Sequence, residues 1–412
     1  RWIGPVMGRI SRNLFVRISP SVGFACATYR ALSTTELSAF APTGKPPDYT
    51  DNKAEIYTSM DNQINTPRES SLFLRACRGE STPSTPIWIM RQAGRVLQPY
   101  RDLRARYDSI QTLFTTPDLA AEITLMPIDL LGVDAAILFT DLVTPLGPLG
   151  SPFSYAPGPV FSAPIRSRQD LNQLREVDPE TDLNYVMKTV DLVCEQLPDH
   201  IPLIGYAGSP FTLATWLVEG RSAKDFPAFR AMMFNDPVLA HDLLAKLTDL
   251  AISFLQAQVR HGAKAIQIFD TSVGVLSATA FADFVLPYLQ RINAELKDMN
   301  IPRIYFPLGA SHCQQYFAQV GADVLSIDWR IEIDQAYKLL GDDAVIQGNL
   351  DPCLLYAQPE TIEKGVEATL SQVAGRPHIF NLGHGLQPDM PYENVRFLVD
   401  AVHRLSASPQ NR

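Results

Sequence analysis

From residue 86 onward the chain alternates short β-branched, apolar runs with longer stretches whose apolar positions recur at helical spacing. The short runs predict strands at 87–90, 134–140, 201–206, 264–269, 303–306, 323–327, 344–347 and 378–381. Amphipathic stretches at 236–261, 277–299, 313–320, 333–340 and 359–373 predict helices between them. Three strands share a lead-in: Gly132-Val133-Asp134, Gly262-Ala263-Lys264 and Gly321-Ala322-Asp323, each a helix-ending glycine followed by the strand. Alternation of strand and helix implies a parallel sheet. Eight repeats in one continuous region predict an α/β fold, a single (β/α)8 TIM barrel. A Pro- and Gly-rich excursion at 144–164 interrupts the second unit and predicts a flap or hairpin. The competing doubly wound sheet usually carries a Gly-rich phosphate turn, and no G-x-G-x-x-G occurs.

The chain before this pattern reads differently. Residues 1–35 contain no Asp or Glu but carry Arg1, Arg9, Arg12, Arg17 and Arg30 among hydroxyl and small apolar residues, the composition of a targeting segment. The sequence starts on Arg, and Met7 is a candidate initiator. A weak apolar stretch at 22–29 precedes Leu37-Ser38-Ala39, an A-x-A-like cleavage site, and then Phe40-Ala41-Pro42. That junction resembles the signal-plus-transit leader of proteins imported into complex plastids. Asp48, Asp51, Glu55 and Asp61 are unusual in a transit peptide, so a mitochondrial leader or a disordered arm on a cytosolic protein is the alternative. The expected organisation is a signal or targeting segment at 1–39, a transit peptide or linker at 40–67, the barrel at 68–407 and a tail at 408–412, with the extension disordered.

Composition narrows the function classes. With 35 Lys and Arg against 44 Asp and Glu, the net charge is −9, opposite in sign to a general nucleic-acid binder. No stretch approaches the ~18 consecutive apolar residues of a transmembrane helix. Cys26, Cys77, Cys194, Cys313 and Cys353 form no CxxC pair, which leaves neither a disulfide framework nor a zinc ribbon.

In a barrel the active site lies at the C-terminal ends of the strands. Most of the unusual residues fall there. Arg91 and Arg95 flank Gly94 after the first strand, with Arg101, Arg104 and Arg106 close behind. Guanidinium forks bind carboxylates bidentately, so converging arginines suit a polycarboxylate substrate; surface salt bridges are the alternative. Asp141 ends an apolar strand and must pair with an arginine or meet a ligand. His384, between Gly383 and Gly385, either contacts a substrate carboxylate, acts as an acid, or is structural. Asp270, Thr271, Asp328 and Asp351 are further rim positions, where hydrogen bonding and structural pairing stand equal. His312 and Cys313 are adjacent and point apart in extended backbone, so no metal site is expected.

Four strings, in order, carry a resemblance. Pro86-Ile87-Trp88-Ile89-Met90-Arg91-Gln92-Ala93-Gly94-Arg95 and Gly205-Tyr206-Ala207-Gly208-Ser209-Pro210-Phe211-Thr212-Leu213 resemble the two signatures of the uroporphyrinogen decarboxylase family. Gln347-Gly348-Asn349-Leu350-Asp351-Pro352 and His378-Ile379-Phe380-Asn381-Leu382-Gly383-His384-Gly385 resemble its C-terminal blocks. The resemblance implies a cofactor-free, homodimeric (β/α)8 carboxy-lyase of haem and chlorophyll synthesis that acts on uroporphyrinogen III. It further implies Asp141, Arg91 and His384 as catalytic residues. Substrate contacts fall on Arg91, Gln92, Ala93, Gly94, Arg95, Arg104, Asp141, Trp216, Thr271 and His384. Trp216 departs from the family, which usually has tyrosine there, and an indole donates but cannot accept. Val96 and the segment Thr271-Ser272-Val273-Gly274 depart too. An inactive porphyrinogen-binding paralogue is one alternative reading. A methylcobamide methyltransferase is another, although the His-x-Cys…Cys zinc pattern it needs is absent from the sequence.

Overall fold

Gly132 (φ 71°) ends the helix Pro117–Leu131 in the left-handed region, and the chain runs straight on toward a strand. Gly321 (φ 81°) does the same after the 3-10 helix Ser311–Val320. A side chain would strain either turn, which is why the lead-ins carry glycine. In the computed structural model, which describes residues 71–407, such turns feed one parallel sheet. The strands in chain order are β1 (Ala136–Ile137), β2 (Phe153–Tyr155), β3 (Pro159–Phe161), β4 (Leu203–Gly208), β5 (Ala265–Asp270), β6 (Arg303–Pro307), β7 (Val324–Ser326), β8 (Val345–Leu350) and β9 (His378–Leu382). β2 and β3 pair antiparallel as the hairpin expected in the 144–164 excursion. The other seven form the sheet in the order β1-β4-β5-β6-β7-β8-β9, and each pairs parallel with the next. Seven of the eight expected strands are therefore in it. The segments expected at 1–67 and 408–412 lie outside the described residues.

The eighth expected strand, 87–90, makes one β-bridge, Ile87 to Phe380. Around it Phe380 N donates to Pro86 O (2.8 Å) and Asp134 N donates to Ile87 O (2.8 Å). Its own N–H groups go largely to side chains: Ile87 N to Asp134 Oδ2 (2.7 Å), Ile89 N to Gln92 Oε1 (2.9 Å) and Met90 N to Asn381 Oδ1 (3.2 Å). Backbone groups satisfied by side chains cannot also build a ladder, so the segment touches β9 on one side and the approach to β1 on the other without becoming a full strand.

The sheet's residues are buried almost throughout, which accounts for runs such as Ala265-Ile266 and Ile304-Tyr305 where one-sided strands would alternate. A polar chain crosses this interior. Trp88 Nε1 donates to Gln347 Oε1 (2.8 Å), and Gln347 Nε2 donates to Gln267 Oε1 (3.0 Å) and Ser326 Oγ (2.9 Å). On the outside, helix Pro237–Arg260 packs on β4. Its buried Gln258 accepts from Tyr206 N (2.9 Å) and donates to Tyr206 O (3.0 Å). A Cβ at Gly205 would stand 2.7 Å from Gln258 Oε1, so that strand position has no room for a side chain. The helix expected over 277–299 is broken into Ala278–Phe284, Leu286–Glu295 and a 3-10 turn, Lys297–Met299. Pro287, which has no N–H to give, sits in the first turn of the second piece and forces the break before it.

Candidate active site

Segment 86–90 and strands β1, β4, β5 and β9 end around a cavity of about 600 Å³, within the usual range for a small-molecule site. Apolar side chains, among them Ile137, Phe139, Tyr206 and Phe269, make much of its wall. Its charged and titratable side chains include Arg91, Arg95, Asp141, Tyr155 and His384, with the hydroxyl of Thr271 beside them.

Asp141 follows β1 at the mouth. Its Oδ1 accepts from Val143 N (3.2 Å) and its Oδ2 from the Tyr155 hydroxyl (2.9 Å). Burial pushes its pKa up, while the N–H of Val143, the phenol of Tyr155, the N–H of Leu142 and the charge of Arg91 pull it back. The carboxylate is held, but its lone pairs are not used up, since two oxygens offer about four acceptor sites.

Arg91 adopts φ 63°, a left-handed backbone uncommon for a residue with a side chain. The strain points its guanidinium across Gly385, where an added Cβ would come within 2.4 Å of Arg91 Cδ. Burial and then the charge of Arg95 lower the Arg91 pKa against the pull of Asp141. Among the described residues, neither Arg91 nor Arg95 forms an ion pair. Two neighbouring cations without a carboxylate partner form an electropositive wall, the arrangement that favours anionic groups on a ligand. Arg101 braces this wall by donating to Arg95 O (2.7 Å) and Val96 O (2.9 Å).

His384 follows β9 and stacks on Phe306, with ring centroids 6.2 Å apart. Burial first, then the charge of Arg91, pushes its pKa down to about 4. The ring is neutral at neutral pH and carries one N–H to donate; it holds no surplus proton.

The other expected contacts are placed as follows. Ala93 and Gly94 line the cavity. Gln92 is fully buried and does not line it; its side chain ties the segment to β1 by donating to Ala135 O (3.0 Å). The Arg104 guanidinium turns back to the carbonyl of Tyr107. Trp216 lines an adjoining cavity of about 130 Å³ with Arg221, and Thr271 lines both cavities. Asp328 pairs with Arg330 (2.9 Å), and Asp351 caps a short 3-10 helix. His312 Nε2 binds Leu276 O (2.6 Å), while Cys313 is buried.

Beneath Thr271 lies Asp270, fully buried, accepting from Thr212 Oγ1 (2.8 Å) and Tyr305 OH (3.0 Å). Burial raises its pKa to about 6 against those hydroxyls. A carboxyl whose folded pKa is raised binds more protons folded than unfolded, so its contribution to stability falls as pH rises through the folded pKa. Asp270→Asn is therefore expected to cost less stability at pH 8 than at pH 5. Asp270→Ala, which strands two buried hydroxyls, is expected to cost on the order of 3 kcal/mol. Denaturant melts at the two pH values check both.

The sequence profile described as "Uroporphyrinogen decarboxylase (URO-D)" matches residues 68–405. A uroporphyrinogen decarboxylase of Geobacter metallireducens is 46% identical over 335 residues, spanning 81% of this chain and 98% of that protein. One of Citrifermentans bemidjiense is 47% identical over 335 residues, with the same coverage of 81% and 98%. Among solved structures, a methyltransferase from Methanosarcina mazei superposes with a TM-score of 0.66 at 20% identity, over 82% of this chain and 98% of that one. At that identity the likeness is one of fold.

Proposed function

The chain belongs to the uroporphyrinogen decarboxylase family, and from that premise we propose how its cavity runs the reaction. The enzyme is a carboxy-lyase: it removes the four acetate carboxyls of uroporphyrinogen III as CO2 and leaves coproporphyrinogen III, a step of haem biosynthesis. The cavity takes the macrocycle. Arg91 and Arg95 bind carboxylate arms, with the backbone of Gln92, Ala93 and Gly94 beside them. Thr271 and the neutral His384 donate to further arms. Arg104 and Trp216, outside the main cavity wall, meet arms that extend past it. The observation that carries this reading is one cavity lined by Asp141 together with two guanidiniums that lack an ion-pair partner among the described residues.

Loss of CO2 from an acetate arm needs somewhere for the bonding electrons to go. Protonation of the pyrrole ring carbon beside the arm makes that sink within the substrate. The C–CO2 bond then breaks, its electrons neutralise the iminium ring, and CO2 leaves. A proton adds to the exocyclic methylene and the ring proton departs, so the net change is one arm carboxylate plus one proton giving methyl and CO2. The ionised Asp141 accepts hydrogen bonds from pyrrole N–H groups and stabilises the cation as it forms. A flexible porphyrinogen can dome and aim several N–H groups at one carboxylate; a flat porphyrin cannot. Arginine holds its proton too tightly to be the acid, and His384 is neutral, so a substrate carboxyl or water supplies the proton.

The test is an anaerobic assay with chemically reduced uroporphyrinogen III, no added cofactor and a chelator present, with oxidised products separated by carboxyl number. Stepwise seven-, six-, five- and four-carboxyl products are expected. Tight binding without product would overturn the catalytic reading in favour of a tetrapyrrole carrier.

The same reading extends to architecture and setting. Segment 86–90, bonded to β9 on one side and to Asp134 on the other, supports closure of the sheet into a (β/α)8 barrel. The family resemblance supports a homodimer, for which sedimentation should give twice the chain mass. The acid-free, arginine-bearing start supports import into a plastid, where the product also feeds chlorophyll synthesis. A fluorescent protein fused behind residues 1–67 should then enter that organelle; retention in the cytosol would remove the localisation.

A further inference from the structure

The hairpin β2–β3 places Tyr155 against the Asp141 carboxylate on the cavity wall. Tyr155 OH donates to Asp141 Oδ2 at 2.9 Å, across 14 residues of chain. The ring is clamped rather than free. It packs edge-on against Phe153 with centroids 5.6 Å apart, and against Phe114 at 6.1 Å. The turn residues beyond it, Pro157 and Gly158, and Pro159 at the start of β3 are themselves cavity wall. Burial and the Asp141 charge raise the Tyr155 pKa, so the phenol keeps its proton and remains a donor.

We propose that Tyr155 is a positioning residue for the decarboxylation: its phenol holds Asp141 ionised and oriented, with the remaining lone pairs of the carboxylate turned to the substrate's pyrrole N–H groups. The proposal rests on the role given to Asp141 above. Val143 N takes one acceptor site on Oδ1 and Tyr155 takes one on Oδ2; even with the N–H of Leu142 counted, about four sites are not used up. Without the phenol the carboxylate would be held at one oxygen only and would rotate about its χ2 bond, which is soft for Asp. It would also lose a donor that offsets burial, and so would protonate more readily.

Groups that act on Asp141 come from four places. Arg91 lies beyond segment 86–90. Tyr206, on β4, senses the Asp141 charge while its hydroxyl donates to Thr140 O at 2.6 Å. The N–H groups of Leu142 and Val143 belong to the Asp141 loop itself, and the hairpin contributes Tyr155. Of these, only Tyr155 gives Asp141 a hydrogen bond from a side chain. The sign of its removal follows: the Asp141 pKa rises, and the acid limb of the kcat profile moves to higher pH.

The experiment compares Tyr155→Phe, Phe153→Leu and Asp141→Asn in the anaerobic assay from pH 5 to 8. Tyr155→Phe is expected to lower kcat about ten- to a hundredfold, as for loss of one hydrogen bond to a charged group. KM should hold near wild type and the acid limb should shift upward. Phe153→Leu loosens the hairpin but keeps the phenol, and its limb should stay at the wild-type position. An unchanged kcat and limb in Tyr155→Phe overturns the proposal, as does a Phe153→Leu variant that reproduces both changes. If Asp141→Asn were to turn over like wild type, the role of Asp141 would fall first and Tyr155 with it. A dead Asp141→Asn beside an unaffected Tyr155→Phe would sink the Tyr155 proposal alone. Should Tyr155→Phe fail to fold, 2,3,5-trifluorotyrosine at 155 keeps the ring and makes the hydroxyl a stronger donor. The limb is then expected to move to lower pH, and a limb that does not move overturns the proposal.

Discussion

Asp141→Asn is expected to cut turnover by about a thousandfold or more while the protein melts no lower than wild type. The two halves of that result have the same physical root. Burial raises the Asp141 pKa, which means that the folded protein spends free energy to keep the group ionised at neutral pH. An amide of the same shape relieves that cost. It still accepts one hydrogen bond through Oδ1, and its NH2 can face the Tyr155 oxygen once the hydroxyl rotates. Stability should therefore hold or rise. Turnover should collapse because an amide dipole replaces the negative charge as pyrrole protonation creates a cation above it. Single-turnover rates under anaerobic conditions and a thermal melt provide the two readings. Turnover within tenfold of wild type would remove Asp141 from the centre of the chemistry.

Much of this site was legible in the sequence because a parallel sheet converts position along a strand into position in space. Arg91 and Arg95 follow segment 86–90, while Asp141, Thr271 and His384 follow β1, β5 and β9; nearly 300 residues separate the first from the last, and the cavity gathers all five. Single-residue functions were harder to read. Gln92 sits in the richest motif of the chain, yet its side chain serves the backbone of Ile89 and Ala135. Arg104 and Arg95 are indistinguishable by type, but one bends back to Tyr107 and the other lines the cavity. Tyr155 lay hidden because a hairpin's sequence shows its turn, not the direction in which it leans over the sheet. Its one signal was alternation: Phe153 and Tyr155 share a face of a short strand that leads into the Pro157-Gly158 turn. The broken strand at 87–90 has a similar cause. Apolar runs report burial, whereas ladder formation depends on which groups take the backbone hydrogen bonds, and here Asp134, Gln92 and Asn381 take them.

Arg91 gives the second large effect, and its backbone supplies a control that most binding residues lack. Arg91→Ala should raise KM about ten- to a hundredfold, the worth of a charge-assisted contact to a carboxylate arm, with a smaller change in kcat. Arg91→Gly should lose affinity equally, yet it removes a side chain from a left-handed backbone at φ 63°. Relief at such a position is worth about 1 kcal/mol, so the glycine variant should be the more stable of the two. Gly385→Ala approaches the same residue from the other side. The new methyl would lie 2.4 Å from Arg91 Cδ and 2.5 Å from Cγ, so the guanidinium must swing away although its charge is retained. KM should rise there too, by less than in Arg91→Ala, because a displaced cation still attracts the arm at longer range. Substrate titrations at two ionic strengths separate the cases: the Gly385→Ala defect should grow as salt is added, and the Arg91→Ala defect should shrink toward it. If Arg91→Gly bound substrate as wild type does, the strained backbone would have no functional reason and Arg95 alone would hold the carboxylates. A stable, weak-binding Arg91→Gly would show that the fold accepts the strain in order to aim this guanidinium.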